Sequence, residues 1–312
     1  MTFPIRIGTR RSKLALAQSG MMQRAIAQAM GVGVDQVPLV EIVTTGDRVQ
    51  DRRLLEIGGK ALFTKEIEEA LLDGRVDVAI HSMKDVPADQ PPGLAIAAVP
   101  VREDARDAFV SRDFATFDAL PHGARFGTAS LRRQAQALAL RPDLKIEMLR
   151  GNVDTRLRRL NDGEFDAILL AAAGLNRLGL SDVIRERLSV DAFLPAPGQG
   201  ALALQTREAD ADAPWVAALN DPTTALCVAA ERGAMRRLEG SCHTAIGAHA
   251  TVTDGRLSLA VEMLAPDGSA RWRRAGVMEG LDPAEAMRQA TILGERLGAE
   301  IHAAAGDQRF AG

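Results

Sequence analysis

The chain has 312 residues, 46% hydrophobic and 25% charged, a globular mixture that excludes a disordered chain, a collagen and a disulfide scaffold. Lys+Arg 38 against Asp+Glu 41 gives a net charge of -3, and aromatics are 4% with no Tyr, so no nucleic-acid partner is expected. The longest strongly apolar run, 167–175, is too short to cross a bilayer, the opening MTFPIRIGTRRS has no signal-peptide core, and the two cysteines are Cys227 and Cys242; no membrane partner and a reducing, cytoplasmic setting are expected.

In chain order, short apolar runs alternate with helical patterns. Strands are predicted over 5–8, 39–44, 76–81 and 94–99. Amphipathic helices are predicted over 13–29 and 64–72, the second with Thr64 as N-cap. This alternation argues for α/β domains with mostly parallel sheets. An internal echo supports two such domains: Leu72-Asp-Gly-Arg-Val-Asp77 resembles Asn161-Asp-Gly-Glu-Phe-Asp166, and Arg6-Ile-Gly-Thr9 resembles Arg125-Phe-Gly-Thr128. Crossovers between domains are expected over 101–108 and near 194–198, where Pro and Gly punctuate the chain. The tail reads as a smaller α+β domain: a helix over 223–238, strands over 245–252 and 257–264 joined at Asp254-Gly255, and a helix over 283–304.

Three clusters carry candidate chemistry. Between Arg125 and Arg159, nine basic residues stand against three acids. Arg132 and Arg133 follow Ser130 at a predicted helix start; Arg150 precedes Asn152, a predicted N-cap for the helix carrying Arg156. Helix N-termini favour anions, and Arg forks grip carboxylate or phosphate with paired hydrogen bonds. The competing reading, a solvated basic face, suits Arg158 and Arg159. The second cluster is His81-Ser-Met-Lys84-Asp85-Val-Pro87, at the carboxyl end of a buried strand, where open α/β sheets hold ligands. Asp85 beside Lys84 fits an acid/base group or a stabiliser of a cation, and equally a strand-end ion pair. The third is Leu238-Glu-Gly-Ser-Cys242-His243: a cysteine among small residues is accessible and can be nucleophilic, whereas Cys227 reads as core. Two distant cysteines and five scattered histidines give no metal-ligand spacing, so no metal is expected.

In order along the chain, Gly8-Thr-Arg-Arg-Ser12, Gly58-Gly-Lys60, Phe63-Thr-Lys-Glu66, the 81–87 cluster, Arg102-Glu-Asp-Ala-Arg-Asp-Ala-Phe109, Gly127-Thr-Ala-Ser-Leu-Arg-Arg-Gln134, Leu149-Arg-Gly-Asn152, Ala172-Ala-Gly-Leu175, Pro197-Gly-Gln-Gly200 and Glu239-Gly-Ser-Cys-His243 resemble the porphobilinogen deaminase (hydroxymethylbilane synthase) family. The resemblance implies two periplasmic-binding-protein-like α/β domains plus a smaller C-terminal α+β domain: 1–100 with 198–220, 101–197, and 221–312. It implies a monomeric transferase of tetrapyrrole and haem biosynthesis. Four porphobilinogen molecules are condensed head to tail with loss of ammonia, and hydroxymethylbilane is released by hydrolysis. It further implies a dipyrromethane cofactor, with Cys242 at the position of its thioether cysteine and Lys84, Ser130, Arg132 and Arg133 at cofactor-binding positions. Asp85 matches the family's catalytic aspartate, whose carboxylate offsets positive charge on pyrrole nitrogens. Arg10, Arg11, Ser12, Lys60, Thr128, Arg150, Arg156, Arg177 and Gln199 match substrate positions, the arginines suiting the acetate and propionate on every ring. The chain departs from the usual family pattern at Glu56-Ile57, Ala61 and Ala129. The alternative reading is a non-catalytic carboxylate-binding protein of the periplasmic-receptor type.

Overall fold

The computed structural model describes residues 4–45, 64–238, 245–280, 282 and 284–306. The chain divides into two compact units, changing over at 103/104, 200/201 and 225/226. Its strands are β1 (Ile7–Thr9), β2 (Leu39–Glu41), β3 (Val78–Ser82), β4 (Leu94–Ala98), β5 (Asp107–Val110), β6 (Arg125–Gly127), β7 (Lys145–Glu147), β8 (Ala167–Ala171), β9 (Glu186–Arg187), β10 (Leu202–Arg207), β11 (Ala245–Thr253), β12 (Arg256–Leu264) and β13 (Arg271–Met278).

The first unit holds a sheet in the order β2-β1-β3-β10-β4. β1 runs parallel to β2 and β3, and β10 lies antiparallel between β3 and β4. The central strands are apolar without alternation because both faces are covered. Ile7, Val78, Ile80 and Leu204 pack on Met22 and Ile26 of helix Lys13–Met30; Val76 and Ala79 pack on Ile67 and Leu71 of helix Lys65–Leu72. Thr64 stands at the N-cap position, but its backbone is already helical and its hydroxyl makes no capping bond.

The second unit repeats the plan in the order β7-β6-β8-β5-β9, again with one antiparallel strand, β5, beside the third parallel one. Helix Leu131–Leu140 covers one face, its Ala137 packing with Phe109, Phe126 and Leu169; helix Val153–Asn161 covers the other, its Leu160 packing with Ala108, Ile168 and Leu170. The sequence echo is therefore structural. Asp77 accepts from the Arg6 backbone N–H at 2.9 Å and from its guanidinium; Asp166 does the same for Arg125, at 2.7 Å and 3.1 Å. Gly127 is forced by a close approach: a Cβ there would stand 2.7 Å from Phe165 Cδ1.

The second unit also carries the antiparallel sheet β11-β12-β13. Helices Pro222–Leu238 and Ala286–Ala305 cover it through Leu226, Leu238, Leu293, Leu297 and Ile301. Strand β13, absent from the sequence reading, completes this α+β part. Its helices cross closely, since a Cβ on Gly294 would stand 2.0 Å from the Ala230 carbonyl oxygen. Gly294→Ala gains about 1 kcal/mol of helix propensity. The obstacle is backbone, however, which cannot rotate away, and overpacking costs about 1–3 kcal/mol. We expect Gly294→Ala to lower the urea midpoint of unfolding; a midpoint equal to or above wild type would refute the close crossing. Among the described residues, no helix is long and apolar enough to cross a membrane.

Candidate active site

In the first unit two parallel strands end side by side and hand the chain to polar segments. β1 passes into Arg10 and Ser12, and β3 into the turn Met83–Asp85. Ser12 caps helix Lys13–Met30, its Oγ accepting from the Ala15 N–H at 3.2 Å, which fixes Arg10 and Ser12 at the strand's carboxyl end. Arg10, Ser12, Gln18, Thr64, His81 and Asp85 line a cavity of about 70 Å³. Asp85 is half-buried, and among the described residues no hydrogen bond or ion pair reaches its carboxylate. His81 is buried, with Nε2 at 3.0 Å from Gln205 Oε1. Burial pushes the His81 pKa down to about 4; Gln205 and Asp85 pull upward, and Arg10 pushes down. The imidazole is thus neutral at physiological pH. Lys84 sits half-buried in the same turn as Asp85. Arg11 faces solvent in an ion pair with Glu41, of the exposed kind that contributes little.

The second unit gathers its arginines at the equivalent end of its sheet. β5 is antiparallel, so its first residue, Asp107, pairs with Ala171, the last of β8. Ser130 caps helix Leu131–Leu140 by accepting from the Arg133 N–H, and Thr128 Oγ accepts from the Ser130 N–H at 3.1 Å. Arg132 and Arg133, 5% and 6% exposed, close on the fully buried Asp107, each with a nitrogen at 2.7 Å from a carboxylate oxygen. Burial alone would raise the Asp107 pKa, but the two guanidiniums hold it well below the usual carboxylate range. The Gln199 amide donates to Asp107 at 2.9 Å and to the Ala105 carbonyl at 2.7 Å. Gln136 accepts from Arg132 at 2.9 Å and donates to the buried Glu262 of β12 at 2.7 Å, linking the antiparallel sheet to the arginine helix. Asn152 caps helix Val153–Asn161, accepting from the Thr155 N–H at 2.9 Å, and Arg156 Nε donates to the Gly151 carbonyl at 2.8 Å. Arg177, ending helix Ala172–Arg177, donates to the Gly200 carbonyl at 2.6 Å. One carboxylate, Asp107, faces two buried guanidiniums. Arg132 Nε and Arg150 Nη1 are buried with no hydrogen-bond partner among the described residues. That surplus of positive charge and open donors suits a polycarboxylate.

The structure brings Arg10, Ser12 and Asp85 together around one cavity, and Arg132, Arg133 and Gln199 around Asp107, with Thr128 and Ser130 at the start of the arginine helix. Lys60 and Cys242 lie outside the described residues. Cys227 is buried core. Sequence reading named no role for His81 or Asp107; His81 is a polar residue within the apolar strand β3, a signal that marks it, whereas Asp107 follows a charged run and carries no such signal.

The chain matches the family described as "Porphobilinogen deaminase, dipyromethane cofactor binding domain" over residues 5–214, and the one described as "Porphobilinogen deaminase, C-terminal domain" over residues 225–303. A porphobilinogen deaminase of Caulobacter vibrioides is 60% identical over 312 residues, covering 97% of both chains. That of Phenylobacterium zucineum is 57% identical over 310 residues, also covering 97% of each. Among solved structures, a periplasmic substrate-binding protein of an ABC transporter from Coxiella burnetii has a TM-score of 0.43 at 16% identity, covering 70% of this chain and 93% of that one. With the two family matches together spanning nearly its whole length, and with identity this high, the chain belongs to the porphobilinogen deaminase family.

Proposed function

We propose that this chain condenses four porphobilinogen molecules head to tail with loss of ammonia, then releases hydroxymethylbilane by hydrolysis, with Asp85 as the catalytic carboxylate. The observation that carries the assignment is the Asp85 side chain itself: half-buried, beside Arg10 and Ser12, and reached by no hydrogen bond among the described residues. A carboxylate so placed offsets the positive charge that grows on a pyrrole nitrogen as ammonia leaves and again as the new C–C bond forms. Placed in hydrogen-bond reach, it also holds the proton that must leave the condensed ring. Arg10 and Ser12, with Lys60, take the acetate and propionate of substrate on the first unit; Arg11, turned to solvent beside Glu41, does not line that cavity. Thr128, Arg150, Arg156, Arg177 and Gln199 do so on the second.

A dipyrromethane cofactor, when bound, supplies the pyrrole terminus that substrate extends. Its ring carboxylates suit the surplus positive charge and buried free nitrogens of the second unit. Arg132 and Arg133, with Ser130, would hold those carboxylates on the second unit, and the Cys242 thiolate would form the thioether; Lys84 is the cofactor-binding candidate of the first unit. The reading carries with it a cytoplasmic monomer with three domains, 1–100 with 198–220, 101–197 and 221–312. Intact-mass measurement tests it. The purified protein is expected to be heavier than its polypeptide by two linked pyrrole units, and Cys242→Ser to lack the addition. A wild-type protein at bare polypeptide mass that gains nothing on incubation with porphobilinogen would end the cofactor assignment.

A further inference from the structure

His81 is a buried, titratable group with no part in the condensation proposed for Asp85. Its hydrogen-bond partners fix its chemistry. Gln205, fully buried on β10, has its amide nitrogen at 2.9 Å from Gln90 Oε1 and 3.4 Å from Glu68 Oε1. A carboxylate such as Glu68 only accepts, so the end of Gln205 that faces it is the NH2 group. The opposite end, facing His81 at 3.0 Å, is therefore the carbonyl oxygen. An oxygen there demands a proton on His81 Nε2. Burial keeps the ring neutral, so that proton is its only one and Nδ1 carries a lone pair. Among the described residues no hydrogen bond reaches Nδ1. The charged groups acting on the ring are Asp85 and Arg10, both on the same cavity. Thr64 lines that cavity too, 1% exposed, with Oγ1 lacking any partner among the described residues. One buried hydroxyl without a partner and one ring nitrogen without a hydrogen bond among the described residues, beside an open carboxylate, describe a site shaped for a polar ring.

We infer that His81 is a second substrate-contacting group: its bare Nδ1, held in place by the Glu68–Gln205 relay, accepts a hydrogen bond from the one ring N–H of the porphobilinogen seated at Asp85, which it shares with that carboxylate. Asp85 supplies the negative charge and His81 a neutral acceptor, so the pair can orient the N–H without placing two anions together. The inference rests on the Asp85 assignment; that assignment is tested separately by replacing Asp85 alone.

Two measurements decide it. In holoenzyme labelled with 15N-histidine, the ring signals of His81, identified by their loss in His81→Asn, are expected to show Nε2 protonated and Nδ1 bare at neutral pH. A proton on Nδ1, alone or together with Nε2, overturns the inference. The second measurement compares two amides. Asn carries an acceptor near the place of Nδ1, whereas Gln carries its amide toward the place of Nε2 and keeps only the link to Gln205. A contact through Nδ1 predicts that His81→Asn keeps kcat/KM within about tenfold of wild type. His81→Gln then loses a further 10- to 100-fold, about the range for leaving one buried hydrogen-bonding group without its partner. A purely structural anchor predicts the reverse order, and either that order or equal losses overturns the proposal. If neither variant folds, the spectrum of the wild-type enzyme alone decides.

Discussion

Asp85→Asn is expected to lose at least about 10³-fold in turnover while melting like the wild type. The two side chains have the same shape, so the cavity with Arg10 and Ser12 is preserved. Among the described residues nothing bonds the carboxylate, so removing its charge strands no buried partner, and the change in stability should stay within about 0.5 kcal/mol. Catalysis is different. An amide can accept a hydrogen bond from a pyrrole N–H, but it cannot neutralise a cation or hold a proton. Loss of one preorganised electrostatic contact costs about 10²–10³-fold, and loss of a positioned proton acceptor about 10²–10⁴-fold. Where both are invested in one residue, the combined loss exceeds either alone. The check is the rate of porphobilinogen consumption by protein whose thermal midpoint matches wild type. A fall of less than tenfold would remove Asp85 from the chemistry and leave it as a strand-end turn residue.

Which features the sequence disclosed follows from how local their causes are. The apolar runs of β1, β2, β3 and β4 and the helical spacing after Lys13 are local patterns, and they form where predicted, within two or three residues. The echo of Arg6 with Asp77 and Arg125 with Asp166 was legible as repeated words and reappears as repeated ion pairs. Strand β13 was missed because Arg271-Trp-Arg-Arg reads as a charged stretch. It is an edge strand, paired only with β12, where arginines can stay half in solvent. The segment read as a crossover runs straight into β5, and its Asp107 is buried by register alone. The candidate site divides the same way. Arg10, Ser12 and Asp85 could be picked out from strand ends and the family resemblance. The pairing of Asp107 with Arg132 and Arg133 spans 25 and 26 residues, and that of His81 with Gln205 spans 124. No local pattern encodes contacts that arise only when an antiparallel strand is inserted between others.

Those long-range contacts give the second large effect. Asp107→Asn is expected to destabilise the second unit by about 3–5 kcal/mol, the cost of leaving buried charges without their counterion. Asp107 is fully buried, and Arg132 and Arg133 are more than nine-tenths buried, so water cannot take over the lost interaction. Asn keeps the volume and one acceptor, yet it turns an NH2 toward Arg132 or toward Arg133 and Gln199, all of which donate to this residue. For a unit of this size the thermal midpoint should fall by roughly 10 °C. The pH dependence gives an independent signature. The Asp107 pKa lies lower in the folded state than in the unfolded chain, so the unfolded chain binds the extra proton first as pH falls. The stabilisation is therefore present above about pH 4 and drains away below it in wild type. Asp107→Asn has no such carboxylate to protonate, so its stability deficit relative to wild type should shrink as the solution is acidified below about pH 4. A variant with an unchanged midpoint at neutral pH, or a deficit that stays constant into acid, would show that the two arginines do not depend on this carboxylate. In that case a shift to other partners, such as Gln136 and the Leu194 and Leu169 carbonyls that already accept from them, would have to carry the whole cost of their burial.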